Sequence, residues 1–259
     1  MKEYILLTGA SAGIGYEMAA QLAAKKFNLI LVARSETKLQ QMQKELTATH
    51  GITVQYISKD LSDVQAAIDL YKQVQQEKLL VTALVNNAGV GNYGNFIDTS
   101  LEEELKMIEL NTSSVVALTK LFVKDMVSRK SGRIMNVASL LSFLPFPYYS
   151  VYSATKTFVL AFTETLAAEL EGTGVVVTAL CPGPIDTGFT TDKMLSTNVF
   201  KVNKPMHPKV VAEHGVKLLL EGKGKKIVGF QNWFISNLPR FTPDNIMMNI
   251  KKNLASQQK

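Results

Sequence analysis

Short apolar runs rich in branched side chains alternate along this chain with longer stretches of helical spacing. That alternation constrains the fold more than any other feature. Strand-like runs fall at Lys2–Leu7, Phe27–Ala33, Ile52–Ser58, Leu80–Val85, Arg133–Val137 and Val175–Leu180. Helical spacing fills Ile14–Lys25, Glu36–His50, Asp63–Gln76, Leu101–Arg129 and Tyr152–Glu171, the fourth reading as two helices meeting near Asn111. Near-continuous apolar strands belong to a parallel sheet covered on both faces. Joined through helices by short links, they form right-handed βαβ units. The expected architecture is therefore α/β, a Rossmann-type doubly wound parallel sheet with helices on both faces. With no linker, low-complexity stretch or internal repeat, residues 1–259 read as one domain. Beyond Val175–Leu180 the pattern loosens. Pro182–Pro205 carries three prolines and little periodicity, so a loop over about 184–206 is expected to border the substrate. A helix at His207–Glu221 and a short strand at Lys226–Val228 follow, then an extension over about 229–259.

Composition narrows the class. A content of 46% hydrophobic and 19% charged residues is that of an ordinary globular protein. The formal charge of +6 reads as a basic surface with no nucleic-acid partner, since the densest clusters, Lys223–Lys226 and Lys251–Lys252, are short. The single cysteine, Cys181, excludes an intrachain disulfide and fits a reducing compartment. The N-terminus has no signal-peptide pattern, and no apolar run reaches the roughly 18 residues of a membrane span. A cytoplasmic location without membrane contact is the expectation. His50, His207 and His214 are dispersed, and no metal site is expected.

Thr8-Gly9-Ala10-Ser11-Ala12-Gly13-Ile14-Gly15 follows the first strand and opens the first helix. Glycines there let the backbone approach a phosphate, and the free N–H groups and positive helix end face the anion. A glycine-rich turn alone is also a tight strand–helix connection; the flanking strand and helix favour nucleotide binding. The second strand ends at Arg34, where an acidic residue would suit a ribose 2′-hydroxyl and an arginine suits a 2′-phosphate. Glu36 is the rival, but with Ser35 as N-cap it belongs to the first turn of the next helix, where it favours the dipole. The cofactor is therefore expected to be NADP(H).

Tyr152-Ser153-Ala154-Thr155-Lys156 sets a tyrosine and a lysine one turn apart on a helix face. A tyrosine titrates near pH 10, and a neighbouring ammonium stabilises its phenolate. The spacing alone is common on ordinary helices. Ser139, thirteen residues earlier at a strand end, changes its meaning. Two hydroxyls converging on one oxygen stabilise developing alkoxide charge.

With these residues in place, the chain resembles the short-chain dehydrogenase/reductase family over roughly residues 3–230. Gly9, Gly13 and Gly15 match its cofactor turn, Asp60-Leu61 the pair at the adenine, and Asn86-Asn87-Ala88-Gly89 the motif that lines the adenosine site. Asn111, Ser139, Tyr152 and Lys156 match its catalytic four, and Pro182-Gly183 with Thr187 the stretch around the carboxamide. The resemblance implies that Tyr152 is general acid in reduction and base in oxidation. Lys156 lowers its pKa and binds the nicotinamide ribose, Ser139 positions the carbonyl, and Asn111 holds a relay water. Ser11 and Ile14 contact the phosphate region. The resemblance also implies a homodimer or homotetramer built on the helices of Leu101–Arg129 and Tyr152–Glu171.

Tyr148 and Tyr149 lack a lysine one turn on and are expected to line the pocket, while Cys181 reads as packing. The apolar, aromatic stretch Leu140–Tyr149 favours an apolar ketone or a 3-oxoacyl-like substrate. The extension interleaves Phe230, Trp233, Phe234 and Phe241 with lysines, and Pro239 and Pro243 break any single long helix. It reads as a flap or subunit contact, with a membrane-surface segment as the alternative. Two further readings compete: a catalytically silent NADP(H)-binding regulatory module, opposed by the intact trio, and a nucleotide-sugar epimerase or dehydratase, opposed by the glycine spacing.

Overall fold

The computed structural model describes residues 2–188 and 192–257. Seven strands run parallel in the order β3-β2-β1-β4-β5-β6-β7. They are β1 (Glu3–Thr8), β2 (Asn28–Ala33), β3 (Val54–Ser58), β4 (Leu80–Asn86), β5 (Gly132–Val137), β6 (Val175–Cys181) and β7 (Gly224–Ile227). Their two faces are covered for a simple reason. Successive side chains of a strand point to opposite sides, so Ile5 and Leu7 of β1 enter one buried cluster while Tyr4 and Leu6 enter the other. The first cluster is closed by α1 (Gly13–Ala24), α2 (Glu36–His50) and, later in the chain, the helix Pro208–Glu221. The second is closed by α3 (Val64–Gln76) and by Ser114–Ser128.

Expected and observed elements agree to within a few residues through β6. The long stretch from Leu101 resolves into α4 (Leu101–Ile108), a wider π-type turn at Glu109–Ser113 and α5 (Ser114–Ser128). The interruption falls on Asn111, as the sequence suggested. Helix α6 (Ser150–Glu169) starts two residues before Tyr152. Ser35 stands at the N-terminus of α2 but makes no side-chain cap, so that expectation is corrected. Glu36 does sit in the first turn, where its carboxylate accepts a hydrogen bond from Gln40 at 3.3 Å.

Pro182–Pro205, expected to lack regular structure, contains two short helices, α7 (Asp192–Leu195) and α8 (Asn198–Val202). Residues 189–191 of that stretch lie outside the described residues. Its ends are clasped: Asp186 N donates to Met206 O at 3.0 Å and Met206 N to Pro184 O at 2.9 Å. The chain continues through α9 (Pro208–Glu221), α10 (Phe230–Asn237), a single turn at Leu238–Arg240 and α11 (Asp244–Ala255). Pro239 lies in that turn and Pro243 caps α11, so the prolines divide the tail as expected. No helix among the described residues is long and apolar enough to cross a membrane.

Candidate active site

Every sequence-nominated residue near the strands lies at or beyond a carboxyl end, on one edge of the sheet. Strand order reverses between β1 and β4, and the crevice outside such a reversal is where open α/β sheets bind ligands.

The glycine turn is fixed from below by β4. Asn87 Nδ2 donates to Thr8 O at 3.0 Å and to Gly9 O at 3.1 Å, while the backbone N–H groups of Asn87 and Ala88 both donate to the Thr8 hydroxyl at 3.0 Å. Gly9 and Gly13 have φ of +63° and +54°, a region that disfavours a Cβ. At Gly15 the constraint is contact: a Cβ would lie 2.2 Å from Gly9 O. No side chain caps α1, so the donors of its first turn remain available to an anion beside Ser11 and Ile14. A phosphate-bearing nucleotide fits this cradle. At its rim the exposed Arg34 has no carboxylate in ion-pair contact among the described residues. Partial burial works to raise the Asp60 pKa, but hydrogen bonds from Ser62, helped by the charge of Arg34, hold it below its ordinary value. Leu61 is buried, its carbonyl accepting from the Ser114 hydroxyl at 2.5 Å.

The second cluster forms where β4, β5 and β6 end. Asn111 is buried in the wide turn, its amide bonded twice to the Val90 backbone, at 3.0 and 2.9 Å, and once to the Thr155 hydroxyl at 3.1 Å. The Asn111 Oδ1 and Lys156 Nζ lie 3.1 and 3.3 Å from where a Cβ on Gly89 would sit, so the glycine leaves these two groups their space. Lys156 Nζ donates to Val137 O at 2.9 Å and stands 5.9 Å from the Tyr152 ring centroid. Burial pushes the Lys156 ammonium down to about 8. Burial pushes the Tyr152 phenol up to about 12, and a hydrogen bond from Ser139 pulls against that rise. The Tyr152 oxygen thus has the Ser139 hydroxyl as its hydrogen-bond partner, while the Lys156 ammonium stands against the Val137 carbonyl and the ring.

Ser139 begins a tight turn at Leu140–Ser142, its hydroxyl accepting from Leu141 N at 3.1 Å. Ser142, which sequence reasoning passed over, links Ser139 to the helix: its hydroxyl accepts from Ser139 N at 3.3 Å and donates to Lys156 O at 2.7 Å. Leu140 N donates to Pro182 O at 2.7 Å, joining this turn to the Pro182-Gly183 stretch. A Cβ on Gly13 would lie 3.1 Å from Thr187 Cγ2, so Thr187 closes over the glycine turn. Thr187 and the Pro182-Gly183 stretch are thereby brought against the glycine turn and the Ser139 turn.

Tyr152 also belongs to an apolar cluster with Met107, Leu144, Phe146, Tyr149, Met194 and Met247, with Tyr148 packed against it. Tyr148 holds φ of +65°, a strained backbone for a non-glycine residue beside the site. Burial raises the Tyr149 pKa above its ordinary value. Cys181 is buried, and burial pushes its thiol up to about 12, which makes it inert. Two contributors had no sequence signal. Tyr93 packs on Tyr148 and Tyr149 at 5.8 and 5.0 Å between ring centroids, and its hydroxyl donates to Ala255 O at 2.7 Å. Asn232, from α10, is buried against Gly183, donates to Val228 O and accepts from Asn203 Nδ2, both at 2.7 Å. Met247 and Ala255 bring α11 onto the apolar cluster, so the tail forms one wall of the site.

Comparison with known proteins accords with this geometry. Residues 3–197 match the short chain dehydrogenase family, and the chain belongs to it. It is similar to ketoacyl reductase HetN of Nostoc sp., 34% identical over 239 residues, covering 91% of this chain and 81% of that protein. It is also similar to 17-beta-hydroxysteroid dehydrogenase type 3 of Homo sapiens, 34% identical over 205 residues, covering 77% of this chain and 64% of that protein. Among solved structures, an alcohol dehydrogenase from the archaeon Thermococcus sibiricus, complexed with 5-hydroxy-NADP, superposes with a TM-score of 0.76 at 27% identity, over 88% of this chain and 96% of that one.

Proposed function

We propose that this protein is an NADP(H)-dependent oxidoreductase that interconverts an apolar ketone, or a 3-oxoacyl-like substrate, and its secondary alcohol. The carrying observation is the buried Tyr152 hydroxyl, hydrogen-bonded by Ser139, beside Lys156 and inside an apolar cluster. The glycine turn and Arg34 would hold the pyrophosphate and 2′-phosphate, Asp60-Leu61 and Asn87–Gly89 the adenosine, and Pro182, Gly183 and Thr187 the carboxamide side. When bound, the nicotinamide supplies or accepts the hydride. Ser139 and Tyr152 orient the carbonyl oxygen by hydrogen bonds, and Tyr152 delivers the proton as charge develops there. Lys156 favours the phenolate left behind, and Asn111 holds the proton path next to it. The apolar wall of Leu144, Phe146, Met194 and Met247 excludes water and favours a hydrocarbon body on the substrate.

The ketoacyl and hydroxysteroid relatives share a ketone within an apolar frame, which supports the substrate class. The 5-hydroxy-NADP complex of the structural relative supports NADP(H), as does the exposed Arg34 at the end of β2. The exposed stripe Leu101, Leu105 and Ile108 on α4 supports a homodimer or homotetramer built on that helix. The single buried cysteine supports a reducing, cytoplasmic setting. The test is a parallel titration with NADPH and NADH, read by nicotinamide fluorescence, with Arg34→Ala beside the wild type. Tighter NADPH binding that is lost in the variant is the expected result. Equal or tighter NADH binding would transfer the ribose to Glu36 and overturn the cofactor assignment.

A further inference from the structure

Helix α10 is built inside out. Its buried positions are Asn232 and Ser236, 2% and 6% exposed, while Phe230, Trp233 and Phe234 stand 81%, 52% and 56% exposed on its other side. Isolated exposed apolar residues are ordinary on protein surfaces. Three aromatics at i, i+3 and i+4, opposite the inward face of Asn232, Ser236 and the half-buried Ile235, are not scatter. Phe230 and Trp233 stack at 5.8 Å, and Phe241, 85% exposed, follows just beyond the helix. Outward-facing Ile246 and Ile250 on α11, one turn apart, add to the apolar surface.

Charge is concentrated in the same segment. Residues 1–222 carry 21 basic and 21 acidic side chains, so the whole formal charge of +6 arises from residues 223–259, which hold seven basic residues and one acid. Exposed Lys201 and Lys204 line a surface pocket of about 390 Å³ together with Phe230 and Gln231. An electroneutral stretch of chain is thus followed by a cationic one that carries exposed aromatic side chains, with Lys225 alone of its basic residues ion-paired among the described residues, to Glu164.

We propose that the α10–α11 face docks on an anionic lipid surface, with Phe230, Trp233, Phe234 and Phe241 entering the headgroup boundary and exposed lysines, Lys201 and Lys204 beside Phe230 among them, contacting lipid phosphates. Aromatic side chains partition to that boundary, and basic residues beside them add attraction to negative headgroups. The charge argues against a second copy of this chain as the occupant. A twofold contact sets the same patch against itself, so its lysines would repel. Because α10 also holds Gly183 through Asn232, and α11 walls the apolar cluster through Met247, docking would bring the substrate side of the crevice next to the lipid. The inference reverses the expectation of no membrane contact and does not depend on the reaction assigned to the site.

Trp233 is the only tryptophan in the chain, so its fluorescence reads this surface directly. The experiment mixes the purified full chain with phosphatidylcholine vesicles, with and without phosphatidylglycerol, and follows co-sedimentation and Trp233 emission. The expected result is a blue shift and co-sedimentation on the anionic vesicles, at least tenfold weaker on phosphatidylcholine alone. The double variant Phe230→Ser/Phe241→Ser should lose at least tenfold in vesicle affinity with unchanged thermal melting, since both side chains are exposed. Absence of a blue shift on anionic vesicles, equal binding to neutral ones, or equal binding by the double variant would overturn the proposal. So would a blue shift in lipid-free buffer that grows with protein concentration, which would give the face to a second copy.

Discussion

The cofactor side of this protein and its tail obey opposite rules of burial. Around the glycine turn, apolar side chains go in and polar ones go out. The alternation of β1 feeds Ile5 and Leu7 to one core and Tyr4 and Leu6 to the other. On α10 the fully buried side chains are those of Asn232 and Ser236, and the aromatics go out. The first arrangement is stabilised by removing hydrocarbon from water, and needs no partner. The second is held by the hydrogen bonds of Asn232 to Val228 and Asn203 and by Ile235 against the apolar cluster, and leaves its aromatic hydrocarbon for something outside the fold. A helix whose apolar face is unpartnered is informative about function in a way that a well-buried helix is not.

The sharpest test on the cofactor side is Tyr152→Phe. It should lower turnover by about 10²–10⁴-fold, the usual contribution of a positioned acid, while NADPH binding stays nearly intact. Substantial residual activity would remove Tyr152 from the proposed role. Next in size, Arg34→Ala should reduce NADPH preference over NADH by the worth of a charged hydrogen bond, about 1.5–3 kcal/mol, read as a ratio of dissociation constants. The tail offers the contrasting pair. Asn232→Ala strands the Asn203 amide and the Val228 carbonyl and should cost about 1–3 kcal/mol in chemical denaturation. It should also raise KM, because Gly183 and the 184–206 loop lose their common support. Phe230→Ser, two residues away on the opposite face, should change stability by no more than about 0.5 kcal/mol. If the two variants behave alike, the inside-out description of α10 is wrong.

A pH profile probes the site itself. Lys156 is held down to about 8 by burial, so it is charged below that pH and neutral above it. Its charge favours the phenolate that Tyr152 becomes on giving up its proton. Carbonyl reduction, as kcat/KM, should therefore be flat below about pH 8 and fall as pH rises through that value, approaching tenfold per unit. A profile flat to pH 10 would show that the ammonium charge does not assist the transfer.

Most of the sheet was legible because burial there follows a period of two in strands and 3.6 in helices. The motifs of the crevice were legible because glycine turns and one-turn spacings are local: Gly9, Gly13 and Gly15 encode a backbone shape, and Tyr152 and Lys156 a shared helix face. The break in the helix at Asn111 was marked in sequence, though not that a wide turn would aim its amide at Val90 and Thr155. Pro182–Pro205 was read as irregular because α7 and α8 are too short for a periodic signal. Ser142, Tyr93 and Asn232 were not found, since each acts through a partner 14 to 162 residues distant, or against Gly183 across the crevice.

By itself, then, the sequence determined the strand–helix alternation, the glycine turn and the shared helix face of Tyr152 and Lys156, because each depends on spacing within one or two turns of chain. Only the tertiary structure decided which donor faces the Tyr152 oxygen, how the tail walls the site, and that α10 turns its aromatics outward. Those outcomes depend on long-range packing: an aromatic at a helical position has no inside or outside until the rest of the fold chooses which face of that helix it will touch.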